Sequence, residues 1–304
     1  MTVTERSATP TLTPVELDPG DALRFTLVSG ATRTLRLLDA HAEIVRTTLP
    51  LPLVETKGAV TIVSFGALLE IDGETHHLWR EIGTQRSFYE PWRIAGLHLW
   101  LDAVDDVFAI LQETHGACRP HRRARLALQD ATLPICPEPL HPWCPLPPGG
   151  LSIHDCYDGE DCWLGAYYGA AAHGGLDINH PAGTPIFAPL DLDDHGLFET
   201  VDDGHRNNLW RGTRTWPDGR SWELGCHHVV RLTTPAGRPV AAGTQVARGA
   251  GVAVGAHDHS HFTFAVREGD ALVRLDPWIL FWQTYKDVHG RGGPRVGHLE
   301  AHAS

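Results

Sequence analysis

Hydrophobic positions along the chain fall into two regimes separated by a proline-rich stretch. Between Ala22 and about Glu74, runs such as LRFTLV, TRTLRLL and AVTIVSF are rich in β-branched and aromatic residues, which suit a pleated, half-buried surface. The Asp72-Gly73 pair among them is a hairpin-turn signal. Leu101, Val104, Phe108 and Leu111 then share one helical stripe, with Gly116 placed to end a helix. From Cys118 the texture changes to CPEPLHPWCPLPPGG, where proline removes backbone donors and fixes φ, disfavouring helix and central strand alike. Beyond it, short apolar runs (IFAPLDL, CHHVVRLTT, HFTFAV) alternate with Gly, Pro and Asp turns, and Asp276-Pro277 opens a closing helix through WILFWQTY. The pattern predicts a mainly β protein: a flexible N-terminus at 1–20, an antiparallel β-rich accessory domain at 21–117, a Cys/Pro-rich linker at 118–160, a second β-rich domain at 161–286 and a loose tail at 287–304.

Charge narrows the function classes. With 25 Lys+Arg against 37 Asp+Glu, the net charge of −12 argues against nucleic-acid or anionic-membrane partners, which reward clustered positive charge. No run approaches the roughly 18 apolar residues of a membrane span, and the opening MTVTERSATPTLTP has neither the basic nor the apolar region of an export signal. Five of the six cysteines (Cys118, Cys136, Cys144, Cys156, Cys162) crowd into the linker, with Cys226 apart and no CxxC pair among them. This disfavours a Cys-based zinc site; at least one disulfide within the five is expected in an oxidising compartment, and thiols in a reducing one.

The 20 histidines carry the chemistry. AHGGLDINHPAGTPIFAP holds His173 and Asp177, whose Gly174-Gly175 spacer is poor helix and places the pair on a strand or loop edge. Downstream, GAHDHSHFTFAV offers His257, His259 and His261 at alternate positions. On a strand, His259 and His261 point to one face. Imidazole nitrogen and carboxylate oxygen are suitable zinc donors. His257 reads as a loop residue; His180, His195 and His205 have no partner at a diagnostic spacing and read as surface or loop, as does the pair His76-His77. Trp163, Tyr167, Tyr168, Trp210, Trp216 and Trp222 read as core, with a substrate groove as the alternative.

HxxxD followed by HxHF, with GTPIFAP after the first motif and VARGAGVAVG before the second, resembles the lysostaphin/LytM-type zinc metallopeptidases over roughly residues 165–270. The resemblance implies an antiparallel β-sheet peptidase domain with zinc on His173, Asp177 and His261, and His259 as a catalytic histidine. A further family histidine falls in WELGCHHVV, where His228 or His227 takes the role, His228 being followed by an apolar residue. The implied activity is endopeptidase cleavage of peptide bonds, with peptidoglycan cross-links as the substrate and the cell envelope or exterior as the place of action, in tension with the absent export signal. Two other readings exist: a peptidase-fold binding or regulatory module without catalysis, and a cupin-type metalloenzyme. The latter wants a Glu three or four residues after HxH, whereas Glu268 comes seven after His261.

Overall fold

The computed structural model describes residues 2–47, 61–111, 113–157, 161–167, 171–200, 207–253, 258–290, 294–297 and 302–303. Along the first half run β1 (Val3–Ser7), β2 (Thr13–Leu17), β3 (Ala22–Thr26), β4 (Thr32–Thr47), β5 (Thr61–Ile71), β6 (Glu74–Ile82), β7 (Trp92–Ile94), β8 (Leu97–Val104), the short α1 (Val107–Ile110), β9 (Glu113–His115) and β10 (Ala124–Asp130). The second half carries β11 (Ala166–Tyr167), β12 (Ala171–His173), β13 (Leu176–Asn179), β14 (Pro185–Phe187), β15 (Asp194–Phe198), β16 (Leu209–Thr215), β17 (Ser221–His227), β18 (Val229–Leu232), β19 (Gln245–Gly249), β20 (Val252–Ala253), β21 (Asp258–Glu268), β22 (Ala271–Leu275), α2 (Trp278–His289) and β23 (His302–Ala303).

The protein is mainly β, and its sheets are predominantly antiparallel. One sheet runs β1-β3-β4-β5-β6-β23 and a second β2-β10-β8-β7, with β8 lying across β4, β5 and β6. Asp72 and Gly73 both adopt positive φ (50° and 90°) and turn β5 into β6, as a two-residue hairpin requires. In the second half, β13-β21-β17-β16-β15 form the main sheet, with β20 and β22 also paired to β21, and β14-β19-β18 form a smaller one.

Several elements depart from the sequence pattern. Residues 3–17, expected to be loose, form β1, parallel to β3, and the buried β2, paired with β10. The stripe Leu101 to Leu111 is not a helix: Leu97–Val104 is a strand buried along its whole length, and α1 spans only Val107–Ile110. A strand covered on both faces loses the alternation that would mark it. Gly116, at φ 94°, follows β9 and lies against Gly174 instead of ending a helix. Within 118–160, β10 is a central strand between β2 and β8, while among residues 131–157 the only regular element is the 3-10 turn Ile153–Asp155, in keeping with the prolines.

One apolar core runs through both halves. Eight consecutive residues of α2, Trp278–Tyr285, are buried; Asp276 Oδ1 accepts the Trp278 amide at its start. Trp278 meets Phe88 and Trp282 meets Trp100 in the first half, while Phe281 meets Phe262 and Trp143 in the second. Arg80 crosses the same junction, donating to Asp276 Oδ2 at 2.8 Å and to the Leu101 carbonyl at 3.1 Å. The described tail residues are tied down as well, since Arg295 and Gly297 donate to the Gly149 and Phe88 carbonyls. No helix among the described residues is long and apolar enough to cross a membrane.

All six cysteines are buried free thiols, against the disulfide expected within the linker cluster. Three of them are engaged as hydrogen-bond donors: Cys118 bonds the Ala172 carbonyl, Cys136 the Glu138 carbonyl and Cys162 the Ser87 hydroxyl. Burial pushes Cys118 and Cys136 up to about 12, so they remain protonated and unreactive.

Candidate metal centre

The centre is assembled where β12, β13 and β21 meet. Asp177 on β13 pairs directly with His261 on β21, and cross-strand partners present their side chains on one face about 5 Å apart. His173 ends β12, and Gly174-Gly175 carries the chain across to β13. This spacer admits no side chain: a Cβ on Gly175 would meet His261 Cε1 at 2.3 Å and the Phe262 carbonyl at 2.7 Å, and one on Gly174 the His115 carbonyl at 2.7 Å. The glycines thus let His173 and Asp177 approach one imidazole from two strands.

Three donor atoms converge. His261 Nδ1 lies 2.8 Å from Asp177 Oδ1 and 3.0 Å from His173 Nε2, and the latter two are 3.5 Å apart. A tetrahedral ion with bonds of about 2.0–2.2 Å separates its ligands by about 3.3–3.6 Å, close to these spacings. His173 donates through Nδ1 to the Cys162 carbonyl at 3.1 Å, which leaves Nε2 with its lone pair turned inward; outer hydrogen bonds of this kind orient metal-binding imidazoles. Burial pushes His173 down to about 3, keeping it neutral. Burial alone would raise Asp177, but His173 and His261 outweigh it and hold the carboxyl below its usual range, as a carboxylate. Two neutral-capable nitrogens and one carboxylate oxygen suit zinc, and among the described residues no other group of three such side chains is so arranged.

Three further histidines surround the cluster. His259, two residues before His261 and on the same face, is buried, with Nε2 3.7 Å from Asp177 Oδ2. The adjacent His227 and His228 do not exclude each other. His228 adopts a left-handed φ of 62°, breaking the alternation of β17, so that the His227 ring lies 5.1 Å from His261 and the His228 ring 4.8 Å from His259. Burial pushes His227 down to about 3.

Comparison with known proteins gives likenesses of structure only. No family model matches the chain, and no curated protein does. The catalytic domain of lysostaphin from Staphylococcus simulans is 19% identical over 36% of this chain and 77% of its own, with a TM-score of 0.29. A putative peptidase M23 from Pseudomonas aeruginosa is 14% identical over 90% of this chain and 95% of its own, TM-score 0.32. A zinc-containing peptidase from Vibrio cholerae is 11% identical over 86% and 83%, TM-score 0.27.

Other residues lie near the centre that the sequence either passed over or placed elsewhere. The His115 ring stacks on Tyr167 at 4.2 Å and lies 5.9 Å from His173 and 6.0 Å from His261; β9 brings it there by pairing in parallel with β12, His115 opposite His173. Tyr157 lies 4.2 Å from the His259 ring. His180, expected on the surface, is half-buried with both ring nitrogens unpartnered, and burial together with His259 lowers it to about 4. His115 and Tyr157 come from segments separate from the two motifs, so no spacing rule could find them, whereas His180 lies three residues after Asp177 and only burial against His259 sets it apart. His195, also expected outside, is a core residue that accepts from Trp210 Nε1 at 3.2 Å and donates to the Pro235 carbonyl at 2.9 Å. Trp163, Trp210, Trp216 and Trp222 are buried in the core. His205, His257 and Tyr168 lie outside the described residues. Glu268, the residue a cupin reading would need, pairs with Arg6 and Arg220 instead of joining the cluster.

Proposed function

We propose that this chain is a zinc-dependent endopeptidase that hydrolyses peptide bonds, with peptidoglycan cross-links as its substrate. The observation that carries the reading is the convergence of His173 Nε2, Asp177 Oδ1 and His261 Nδ1 within 3.5 Å of one another. When bound there, zinc would lower the pKa of its bound water towards about 7 and polarise a carbonyl. His259 acts as general base and acid: its Nε2, on the Asp177 side, takes a proton from the attacking water and returns it to the leaving amine. His228, against the His259 ring, orients it, and His227, held neutral, donates to the oxygen that gains charge as the carbonyl becomes tetrahedral. The substrate class follows the resemblance of the HxxxD and HxHF motifs to lysostaphin-type enzymes.

The test joins metal analysis of the purified chain to digestion of defined peptidoglycan fragments. One zinc per chain is expected, lost in Asp177→Ala and His261→Ala. His259→Ala should keep the metal and lose roughly 100-fold or more of its turnover. A native protein that neither contains nor binds zinc refutes the proposal, and equal zinc loss in His259→Ala and His261→Ala refutes the division of roles.

A further inference from the structure

Strand β22 continues the edge of β21 that β13 occupies at the metal centre. Asp177 pairs with His261 and Arg274 with Ala265, two strand repeats further along and on the same face. Among the described residues the half-buried Arg274 makes no hydrogen bond and no ion pair. It lines a cavity of about 430 Å³ together with Glu16, Thr114, Gly116, Arg119 and Arg125. The other two arginines are committed: Arg119 Nε bonds Asp105 at 2.7 Å, and Arg125 bonds Asp102 at 2.5 Å and Glu16 at 3.4 Å. Arg274 is therefore the one unneutralised charge in the wall, in a protein that is otherwise acidic. The wall also reaches the metal centre, because Thr114 and Gly116 flank His115 and Gly116 lies against Gly174.

A guanidinium with unspent donors, recessed in a cavity, selects a planar anion that accepts two parallel hydrogen bonds. We propose that Arg274 and this cavity form a subsite for a free carboxylate of the substrate, so that the peptides accepted here are acidic ones; this rests on the peptidase reading above. Four residues of strand separate Ala265 from His261, about 13 Å, which puts the carboxylate about three or four residues of extended peptide from the scissile bond.

The experiment reads binding and not turnover. The full-length chain carrying His259→Gln is titrated by calorimetry at low salt with a nonapeptide, acetyl-Gly-Gly-Gly-Gly-Glu-Gly-Gly-Gly-Gly-amide, long enough to reach from the cavity past the scissile position, and with its Gln counterpart. The Glu peptide should bind at least 10-fold more tightly. Arg274→Gln should reduce that preference to within twofold, and Arg274→Lys should restore part of it. Equal affinity for the two peptides, no binding of either at millimolar concentration, or a preference that survives Arg274→Gln overturns the subsite. Zinc content and hydrolysis by the parent chain, measured separately, test the peptidase reading, so a zinc-binding, active parent whose His259→Gln form shows no preference for the Glu peptide fails the subsite alone.

Discussion

Replacing Gly175 by alanine tests whether backbone approach builds the candidate metal centre. A methyl there starts 2.3 Å from His261 Cε1, 2.5 Å from Nε2 and 2.7 Å from the Phe262 carbonyl. Carbon atoms settle at about 3.5 Å, so more than 1 Å of overlap must be relieved. The Phe262 carbonyl belongs to β21, paired with β13 on one side and β17 on the other, and has little room to yield. The His261 ring must move, taking Nδ1 away from Asp177 and His173. Overpacking of this kind costs about 1–3 kcal/mol, or several degrees of melting temperature at about 2–4 °C per kcal/mol for chains of this order of size. Disturbing the support of a metal ligand weakens metal binding by about 10–100-fold. Equilibrium dialysis against zinc and thermal melts measure the two effects, with Gly196→Ala as control, since a Cβ there meets nothing within 4 Å. A Gly175→Ala protein with native zinc affinity and melting temperature would refute the argument that this glycine is required by the His261 ring.

Arg80→Ala leaves Asp276 as an unpaired carboxylate in the core and should cost about 3–5 kcal/mol in urea denaturation, whereas Arg24→Ala, which removes an exposed pair with Glu5, should change stability little; similar effects of the two would contradict the assignment of Arg80 as the bridge between the halves. Burial pushes His98 down to about 4, with its ring near Trp100 and Trp282. The fold therefore favours its neutral form, and stability is lost as pH falls from about 6.5, the unfolded value, towards 4. His98→Gln should lose less melting temperature between pH 7 and pH 5 than the parent; an equal loss would exclude His98 as a contributor. Thiol titration under denaturing, non-reducing conditions should count six free thiols, and four or fewer would contradict the unpaired state of the cysteines.

The sequence by itself determined the local features. Asp72-Gly73 specified a hairpin because few residue pairs tolerate two positive φ values, Asp276-Pro277 marked the start of α2, and the alternation of His259 and His261 put both on one face because a strand has a period of two. HxxxD and HxHF put the histidine and aspartate donors in view, and the structure brings His173, Asp177 and His261 together. Tertiary structure decided whatever depends on a distant neighbour. Thr13–Leu17 is a strand because β10, more than 100 residues later, offers it a ladder, and Leu97–Val104 is one because both its faces are covered. The five clustered cysteines are free thiols, with Cys118 and Cys162 bonded to Ala172 and Ser87, groups more than 50 residues away in the chain. His227 and His228, rivals in the sequence, both reach the centre through one left-handed residue. His115 arrives beside His173 only through the parallel pairing of β9 with β12, a contact between segments almost 60 residues apart. Local preference is written into neighbouring residues, but a site built from five strands is fixed by which strands share edges, and that choice is made by burial of the whole core.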